Sequence, residues 1–298
     1  MAEVSRECNY IRPVFNENNE YEIIGGRHFL QECCVDNFVA NDYKSENTKG
    51  KVKIITGANA SGKSIYLKQI CLISYMAQIG CFVPAEKALL PIIDRMYSRI
   101  QTVESVSTNV SAFCFDLNQV SMSVRNATAR SLVALDEFGK GTELSQGLAL
   151  LAATINYWLR RDTTPFLLVS THLLSIPQFL IKTPKLEFQT FEVIVTEEKV
   201  VYTYSIKDGI AKSSLAHAVA RSAGISNQIL DRAKYISDKL AKGEDFEPLP
   251  NAEYDAHVAK CRAVGRAFNS IKAELRAIED QDLRLQKFKE FLESIKDV

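Results

Sequence analysis

The segment ITGANASGKSIYLKQ, residues 54–68, joins the end of a strand to a helix through a loop bounded by Gly57 and Gly62. Lys63 and Ser64 follow the second glycine directly. In loops of this spacing, backbone N–H groups bind phosphate oxygens, and the dipole of the next helix adds to the attraction. Because such a loop needs a buried strand before it and a helix after it, this segment constrains the fold more than any other.

The side chains of this loop suit a nucleotide. Lys63 is expected to neutralise charge on the β- and γ-phosphates, and Ser64 to ligate Mg²⁺ through its hydroxyl. Glycine permits the unusual backbone angles and the close approach that the loop requires. The residues between the two glycines complete the predicted phosphate-binding set: Ala58, Asn59, Ala60 and Ser61.

Two adjacent acids end a second apolar strand, SLVALDEFG at residues 131–139. Asp136, at the carboxyl end of that strand, is expected to hold the Mg²⁺ shell. Glu137 is expected to orient and deprotonate an attacking water, so the pair divides into a metal holder and a general base. Two solvated acids are the alternative, which the apolar strand before them disfavours.

A third apolar strand, PFLLVSTH at residues 165–172, ends on His172. An imidazole near the same edge is expected to contact the γ-phosphate and to respond to its loss. A single histidine is more often structural, and it is the loop and the acid pair that favour a functional role.

Helical and strand patterns alternate along the middle of the chain. Apolar residues have helical spacing in residues 63–80, 115–128 and 145–161. The strands between them are almost continuously apolar, which predicts a mostly parallel sheet covered by helices on both faces. Residues 190–206 alternate around an acidic turn and predict an antiparallel hairpin. Residues 1–50 show no regular pattern, so we expect irregular structure there.

The last part of the chain is predicted to be helical. Residues 210–241 are followed by a segment with two prolines and clustered acids at 242–254, which we interpret as a linker. In residues 255–298 the apolar positions fall near heptad spacing. That stripe indicates either a helical pair that binds a partner or helices that fold back on their own domain.

Composition limits the partners and the compartment. The 298 residues include 36 basic and 36 acidic side chains, so any contact with DNA needs a local patch, a partner or further sequence. Seven cysteines without a CxxC pair argue for reduced thiols and against a zinc site. No signal peptide and no apolar run of membrane-spanning length is seen, so we expect an intracellular protein with no membrane partner.

Together these motifs resemble the ATPase domain of the MutS family of DNA mismatch-repair and recombination proteins, which are ABC-type P-loop ATPases. The resemblance covers roughly residues 5–240 and includes NYIRPVF (9–15), GGRHFLQE (25–32) and FVPAEKA (82–88). It implies ATP and Mg²⁺ as cofactors. It also implies that ATP hydrolysis drives a conformational change in a DNA clamp.

The resemblance extends to individual residues. Phe38, in NFVAND, matches the aromatic residue that stacks on adenine, and Asn59 matches an asparagine that serves nucleotide binding. Ser111 occupies the signature loop and is expected to act on the γ-phosphate of the partner chain. Ala58 and Ser61 depart from the family, which has proline and glycine there.

The segment DGIAKSSLAHAVARSAGISNQILDRAK, residues 208–234, resembles the helix-turn-helix through which MutS proteins dimerise. A helix-turn-helix can read DNA, but this one is rich in alanine and weakly basic, which favours dimerisation. The predicted organisation is an end of the lever region and linker (1–20), an ATPase domain (21–207), a dimerisation segment (208–241), a linker (242–254) and a helical tail (255–298).

Within the family, Ser61 and the segments FDLNQV and NATARSLVALDEFGKGT resemble the sequence of the meiosis-specific branch, the fifth of the eukaryotic series. This implies a heterodimer with another MutS homologue, the fourth of that series, stabilising branched recombination intermediates and promoting crossovers in the nucleus. DNA would be a partner in the full-length assembly. The regions that precede the ATPase in complete family members do not fit into 50 residues, so we expect either a fragment or a truncated product.

Three alternatives remain at this point. The first is the ATPase domain of a post-replicative mismatch-repair homologue. The second is a catalytically weak module that dimerises when nucleotide binds. The third, a transporter or chromosome-organising ABC engine, is disfavoured because the string Leu-Ser-Gly-Gly-Gln is missing from the sequence.

Overall fold

The computed structural model describes residues 2–100, 112–140, 142–196, 199–213, 215–246 and 252–294. The chain divides into two compact units, Met1–Leu230 and Asp231–Val298. The strands are β1 Val14–Asn16, β2 Tyr21–Gly26, β3 Asn41–Ser45, β4 Val52–Thr56, β5 Lys87–Pro91, β6 Met96–Arg99, β7 Leu132–Asp136, β8 Phe166–Thr171, β9 Leu186–Val195 and β10 Val200–Asp208. The helices are α1 Ala2–Glu7, α2 Lys63–Gln78, α3 Ala112–Asn126, α4 Leu144–Leu159, α5 Ala216–Ser222, α6 Asn227–Lys242, α7 Ala252–Ala277 and α8 Gln281–Ser294, with short 3-10 turns at Gln31–Cys33 and Ile176–Phe179.

Six strands form the main sheet of the first unit, in the order β10-β9-β4-β8-β7-β6. Every neighbouring pair is parallel except β9 and β10, which form the predicted antiparallel hairpin. All residues of β4, β7 and β8 are buried, which explains why these segments are almost continuously apolar. The prediction of a mixed α/β fold with a parallel-rich sheet is confirmed.

Helices cover both faces of this sheet, because successive side chains of each strand point to opposite sides. Ile55 of β4 packs in a cluster with Leu67 and Ile70 of α2. Its neighbour Ile54 packs in a second cluster that includes Trp158 of α4. The two faces therefore have separate apolar cores.

A second, four-stranded sheet has the order β1-β5-β2-β3, so the expectation of irregular structure in residues 1–50 was wrong. In β3 the buried positions are Asn41, Tyr43 and Ser45, two of them polar. An alternation of buried and exposed side chains is present, but hydrophobicity does not reveal it. β1 is only three residues long and pairs with β5, which lies far along the chain.

The second unit contains the helical pair α7 and α8. The rings of Phe268 and Phe288 lie 6.5 Å apart between centroids, and Phe291 lies 5.9 Å from Phe268. Leu275 is buried. The heptad-like stripe of the sequence therefore packs these two helices together. Among the helices within the described ranges, none has the length and apolar character needed to span a membrane.

Lys51 precedes β4 and is almost completely buried, with 2% of its surface exposed. Its Nζ donates hydrogen bonds to Asn47 Oδ1 at 3.1 Å and to the carbonyl of Ala129 at 3.0 Å. The ammonium also lies 4.9 Å from the ring centroid of Phe166. Burial, with a smaller contribution from the charge of Lys185, lowers the pKa of Lys51 to about 8.

We expect the stability of the protein to depend on Lys51 at alkaline pH. The pKa of Lys51 is about 8 in the folded chain, whereas an unfolded lysine has a pKa of about 10.4. Between these values the unfolded chain binds more protons, so the free energy of unfolding rises with pH. From pH 8 to 9.5 the rise due to Lys51 should be roughly 1.5 kcal/mol, and Lys51→Met should remove it.

The measurement is urea denaturation of both proteins at several pH values in this window. Lys44→Met is the control, because the side chain of Lys44 is 62% exposed. An equal pH slope in wild type and Lys51→Met would show that Lys51 is protonated throughout.

Candidate functional site

A cavity of about 470 Å³ lies beside the loop that follows β4. Its walls come from four parts of the chain: the 31–41 segment, the loop and first turns of α2, the Glu137 turn after β7, and the hairpin β9–β10. The loop and the Glu137 turn leave the sheet at the carboxyl ends of parallel strands. Open parallel sheets bind ligands at that edge.

The loop between β4 and α2 has three residues in the left-handed region: Gly57 (φ 150°), Ala60 (φ 63°) and Gly62 (φ 107°). A Cβ atom on Gly62 would lie 3.4 Å from the ring of Phe191 and 3.5 Å from that of Tyr204. Those distances are ordinary van der Waals contacts, so glycine at 62 is required by its backbone angle and not by lack of space. The residues Asn59, Ala60 and Gly62 line the cavity.

Lys63 is the first residue of α2 and is only 4% exposed. Its Nζ donates hydrogen bonds to the carbonyls of Gly57, at 3.0 Å, and Ala58, at 2.8 Å. Burial lowers the pKa of Lys63, and the nearby carboxylates of Glu137 and Asp136 partly offset this. The Lys63 ammonium thus bonds the backbone of its own loop, and Lys63 is also part of the cavity wall.

The predicted residues Gly57, Ala58 and Ser61 are not among the residues that line the cavity. Ser61 is 1% exposed, and no described group bonds to its hydroxyl. That oxygen would lie 3.2 Å from a Cβ on Gly57, so the two residues pack against each other. Ser64, one residue beyond Lys63, does line the cavity.

Asp136, at the end of β7, is 6% exposed and is not among the residues that line the cavity. The hydroxyl of Ser170, on β8, donates to its Oδ1. The guanidinium of Arg99 donates both to the Asp136 carbonyl and to the carboxylate of Asp116 on α3. Asp136 is therefore held by the neighbouring strands and by a buried ion pair.

Glu137 turns into the cavity, with φ at 51° and its N–H donating to the Ser170 carbonyl at 3.0 Å. Burial alone would raise the pKa of Glu137. The hydrogen bond and charge of Lys140, with the charges of Lys63 and His172, outweigh burial and place the pKa of that carboxyl below its ordinary value. Lys140 Nζ lies 3.0 Å from Glu137 Oε2. Glu137 is therefore a carboxylate at neutral pH.

The other predicted residues differ in position. Phe38 is half-buried and lines the cavity. His172 follows β8 directly and acts on Glu137 through its charge, but it is not among the residues of the cavity wall. Ser111 lies outside the described residues, so its predicted role across a dimer stays a prediction.

Sequence reasoning missed several residues of the wall. Tyr204 and Phe191 belong to the hairpin, Lys140 to the turn after Glu137, Asn41 to β3 and Gln69 to α2. The sequence does indicate Lys140, because it lies three residues after Glu137, a spacing at which the two side chains can form an ion pair. The hairpin residues are brought to the loop only by strand pairing, which local pattern does not reveal.

The fold and this site together define a class: a mixed α/β domain whose ligand cavity lies at the carboxyl edge of a parallel-rich sheet. The chain belongs to the MutS domain V family, whose sequence model matches residues 53–241. That match contains the loop, the acid pair, His172 and both strands of the hairpin.

Relatives of two kinds are similar to the chain. MutS protein homolog 5 of Saccharomyces cerevisiae is 34% identical, over 82% of this chain and 30% of that protein. DNA mismatch repair protein MutS is 37% identical in Thermotoga sp. (78% of this chain, 29% of the relative) and 38% identical in Petrotoga mobilis (83% and 30%). The chain spans about 30% of the length of these relatives. Their similar identities do not separate one branch of the family from another.

Proposed function

We propose that this chain is the ATP-binding and ATP-hydrolysing part of a MutS-type DNA clamp. The observation that carries the proposal is the composition of one cavity: a buried lysine, Lys63, beside Ser64, the carboxylate Glu137 and the aromatic ring of Phe38. A cation, a hydroxyl, a base and a flat apolar surface are the groups that ATP and its hydrolysis require.

The phosphates of ATP would lie along the loop, where backbone N–H groups and the start of α2 attract negative charge. Lys63 would exchange its two carbonyl acceptors for phosphate oxygens, which are stronger acceptors because they are charged. The adenine would lie against Phe38 and the exposed ring of Tyr204, since flat apolar rings stack on bases. Asn59, in the cavity wall, would contact the phosphates.

The residues present fit a magnesium ion. Ser64 and Asp136 offer a hydroxyl and a carboxylate, and Mg²⁺ prefers hard oxygen ligands and usually completes its shell with phosphate oxygens and water. Within the described part of the chain, no group of three His, Cys, Asp or Glu side chains forms a metal cage. The protein would thus supply two ligands, Ser64 and Asp136, and the Mg²⁺ ion would bind together with its nucleotide. When bound, the ion would neutralise charge on the β- and γ-phosphates.

Glu137 would serve as the general base, because its carboxylate is ionised and faces the cavity. His172 would respond to the γ-phosphate through its charge interaction with Glu137. We propose that Ser111 acts on the partner's nucleotide, which makes each active site depend on two chains. The segment 208–241, which includes α5 and α6, would hold the two chains together.

We further propose the meiotic branch of the family, with the fourth eukaryotic MutS homologue as partner and chromosomes in the nucleus as the place of action. Ser61 and the match to the yeast MutS protein homolog 5 support this. The second candidate is post-replicative mismatch repair, which is favoured by the names of the bacterial relatives and by their similar identity of 37% and 38%. A Phe-x-Glu wedge upstream of this chain would favour repair.

The proposal is tested by measuring both binding and turnover. The chain alone should bind ATP in the presence of Mg²⁺ and hydrolyse it slowly, and turnover per chain should rise with chain concentration or on adding a MutS partner. Calorimetry gives the first quantity and phosphate release the second. No detectable ATP binding, or turnover that is undiminished in the monomer and independent of concentration, would contradict it.

A further inference from the structure

Strand β10 carries an irregularity at the cavity. The pairing of β9 and β10 changes register between Tyr202 and Ile206, and Tyr204, inside the irregularity, has φ at 55°. A bulky side chain in the left-handed region is unfavourable unless surrounding contacts hold it there. The ring of Tyr204 is the part of the irregularity that lines the cavity and lies against Gly62.

One buried amide, that of Asn41 on β3, holds this irregularity. Its Nδ2 donates to the Tyr204 carbonyl at 2.9 Å, and its Oδ1 accepts from the N–H of Ile206 at 2.8 Å. Asn41 thus bonds the backbone on both sides of Ser205, within the three residues, 203–205, that have no partner in the register of the hairpin. Asn41 is 8% exposed, so water does not substitute readily for these bonds.

The same residue is tied to the other walls of the cavity. Asn41 Nδ2 also donates to the Val39 carbonyl at 3.2 Å, one residue beyond Phe38. The amide of Gln69, on α2, donates to the Asn41 carbonyl at 3.1 Å and is itself 1% exposed. Asn41 therefore joins the Phe38 segment, the helix that follows the loop and the Tyr204 irregularity through hydrogen bonds.

We propose that Asn41 is a positioning residue that sets the ring of Tyr204 in the wall of the nucleotide cavity. This rests on the proposed function for the ligand, but the positioning itself is a property of the chain without nucleotide. Asn41 acts through Tyr204 and not on the phosphates, which lie at the loop. Its loss should weaken recognition of the base and leave recognition of the phosphates intact.

The test compares two probes, Mg-ATP and inorganic tripolyphosphate with Mg²⁺, by calorimetry. Asn41→Ala should weaken Mg-ATP binding by about ten-fold, the lower end of what one base–aromatic stack supplies. Tripolyphosphate binding should be unchanged. In a Tyr204→Ala background the effect of Asn41→Ala on Mg-ATP should largely disappear, because the ring it positions is gone.

A second measurement needs no nucleotide. With 3-fluorotyrosine incorporated, the fluorine resonance of Tyr204, assigned by Tyr204→Phe, should shift or broaden in Asn41→Ala. Asn41→Asp is the isosteric second variant: it keeps the acceptor for the Ile206 N–H, loses both donors, and should act in the same direction. Asn16→Ala is the matched control, since Asn16 makes the same kind of two-bond clamp with Glu20 (2.8 and 3.2 Å) away from the cavity. It should change neither readout.

An equal loss of affinity for both probes, or an unchanged loss of Mg-ATP affinity in the Tyr204→Ala background, would overturn the positioning role. If the wild type binds neither probe, the proposed function fails, and the fluorine resonance then decides the inference alone. An unaltered Tyr204 resonance in both Asn41 variants would contradict it.

Discussion

Lys63→Met is expected to weaken Mg-ATP binding by at least about 100-fold, because hydrogen bonds to charged groups are each worth roughly 1.5–3 kcal/mol and the ammonium would contact two phosphates. The methionine keeps the apolar stem, which packs in the wall, and removes only the charge and the donors. Lys63 Nζ also bonds the carbonyls of Gly57 and Ala58, so we expect a modest stability loss of about 1 kcal/mol. Calorimetry measures the affinity and urea denaturation the stability.

The matched control for this variant is Lys68→Met. Lys68 lies on the same helix, α2, but is not among the residues of the cavity wall. The control removes the same charge from the helix and should leave affinity within a few-fold of wild type. Unchanged Mg-ATP affinity in Lys63→Met, with the control behaving as stated, would mean that the loop is a glycine turn without a phosphate role.

Much of the main sheet was predictable, because each of its features has a local cause. β4, β7 and β8 are buried on both faces and so consist almost wholly of apolar residues. Because these strands are parallel, Asp136 at the end of β7 and the loop after β4 lie at the same carboxyl edge of the sheet. Predicting the loop, the acids and their shared edge therefore needed only strand burial and chain order.

The second sheet was not predictable in this way. In β3 the buried side chains include Asn41 and Ser45, and the amide of Asn41 bonds residues of other elements. The sequence therefore carries no hydrophobic alternation there. These partners lie far away along the chain: Asn41 bonds Tyr204 and Ile206. A polar residue buried for a distant hydrogen bond has the same local appearance as a turn residue.

The same reason explains which part of the site was missed. Lys63, Ser64 and Glu137 were predicted as site residues because loop chemistry requires them close to a strand end, and all three line the cavity. Tyr204 lies on a hairpin strand whose alternation predicts an ordinary exposed side chain. Its place in the wall depends on a change of register and a left-handed backbone, and neither leaves a mark on hydrophobic pattern.

Glu137→Gln is expected to lower ATP turnover by about 10²–10⁴-fold, the usual contribution of a general base, while Mg-ATP affinity stays within a few-fold. The amide has the same size and still lies in the cavity, but it accepts no proton from water. Loss of the pair with Lys140 adds little, because that lysine is 67% exposed and such pairs are weak. Single-turnover phosphate release, with the dimer partner present, measures the chemical step.

Glu192→Gln is the matched control, because Glu192 forms a comparable pair with Lys207 at 2.9 Å on the hairpin, outside the cavity wall. It should leave turnover unchanged. The comparison separates an ATPase from a module that only dimerises when nucleotide binds. An ATPase loses turnover in Glu137→Gln and not in Glu192→Gln. A module that only dimerises has no chemical step that either variant could slow. Equal turnover in wild type and Glu137→Gln would assign the carboxylate to holding nucleotide, and the general base would have to be sought elsewhere in the assembly.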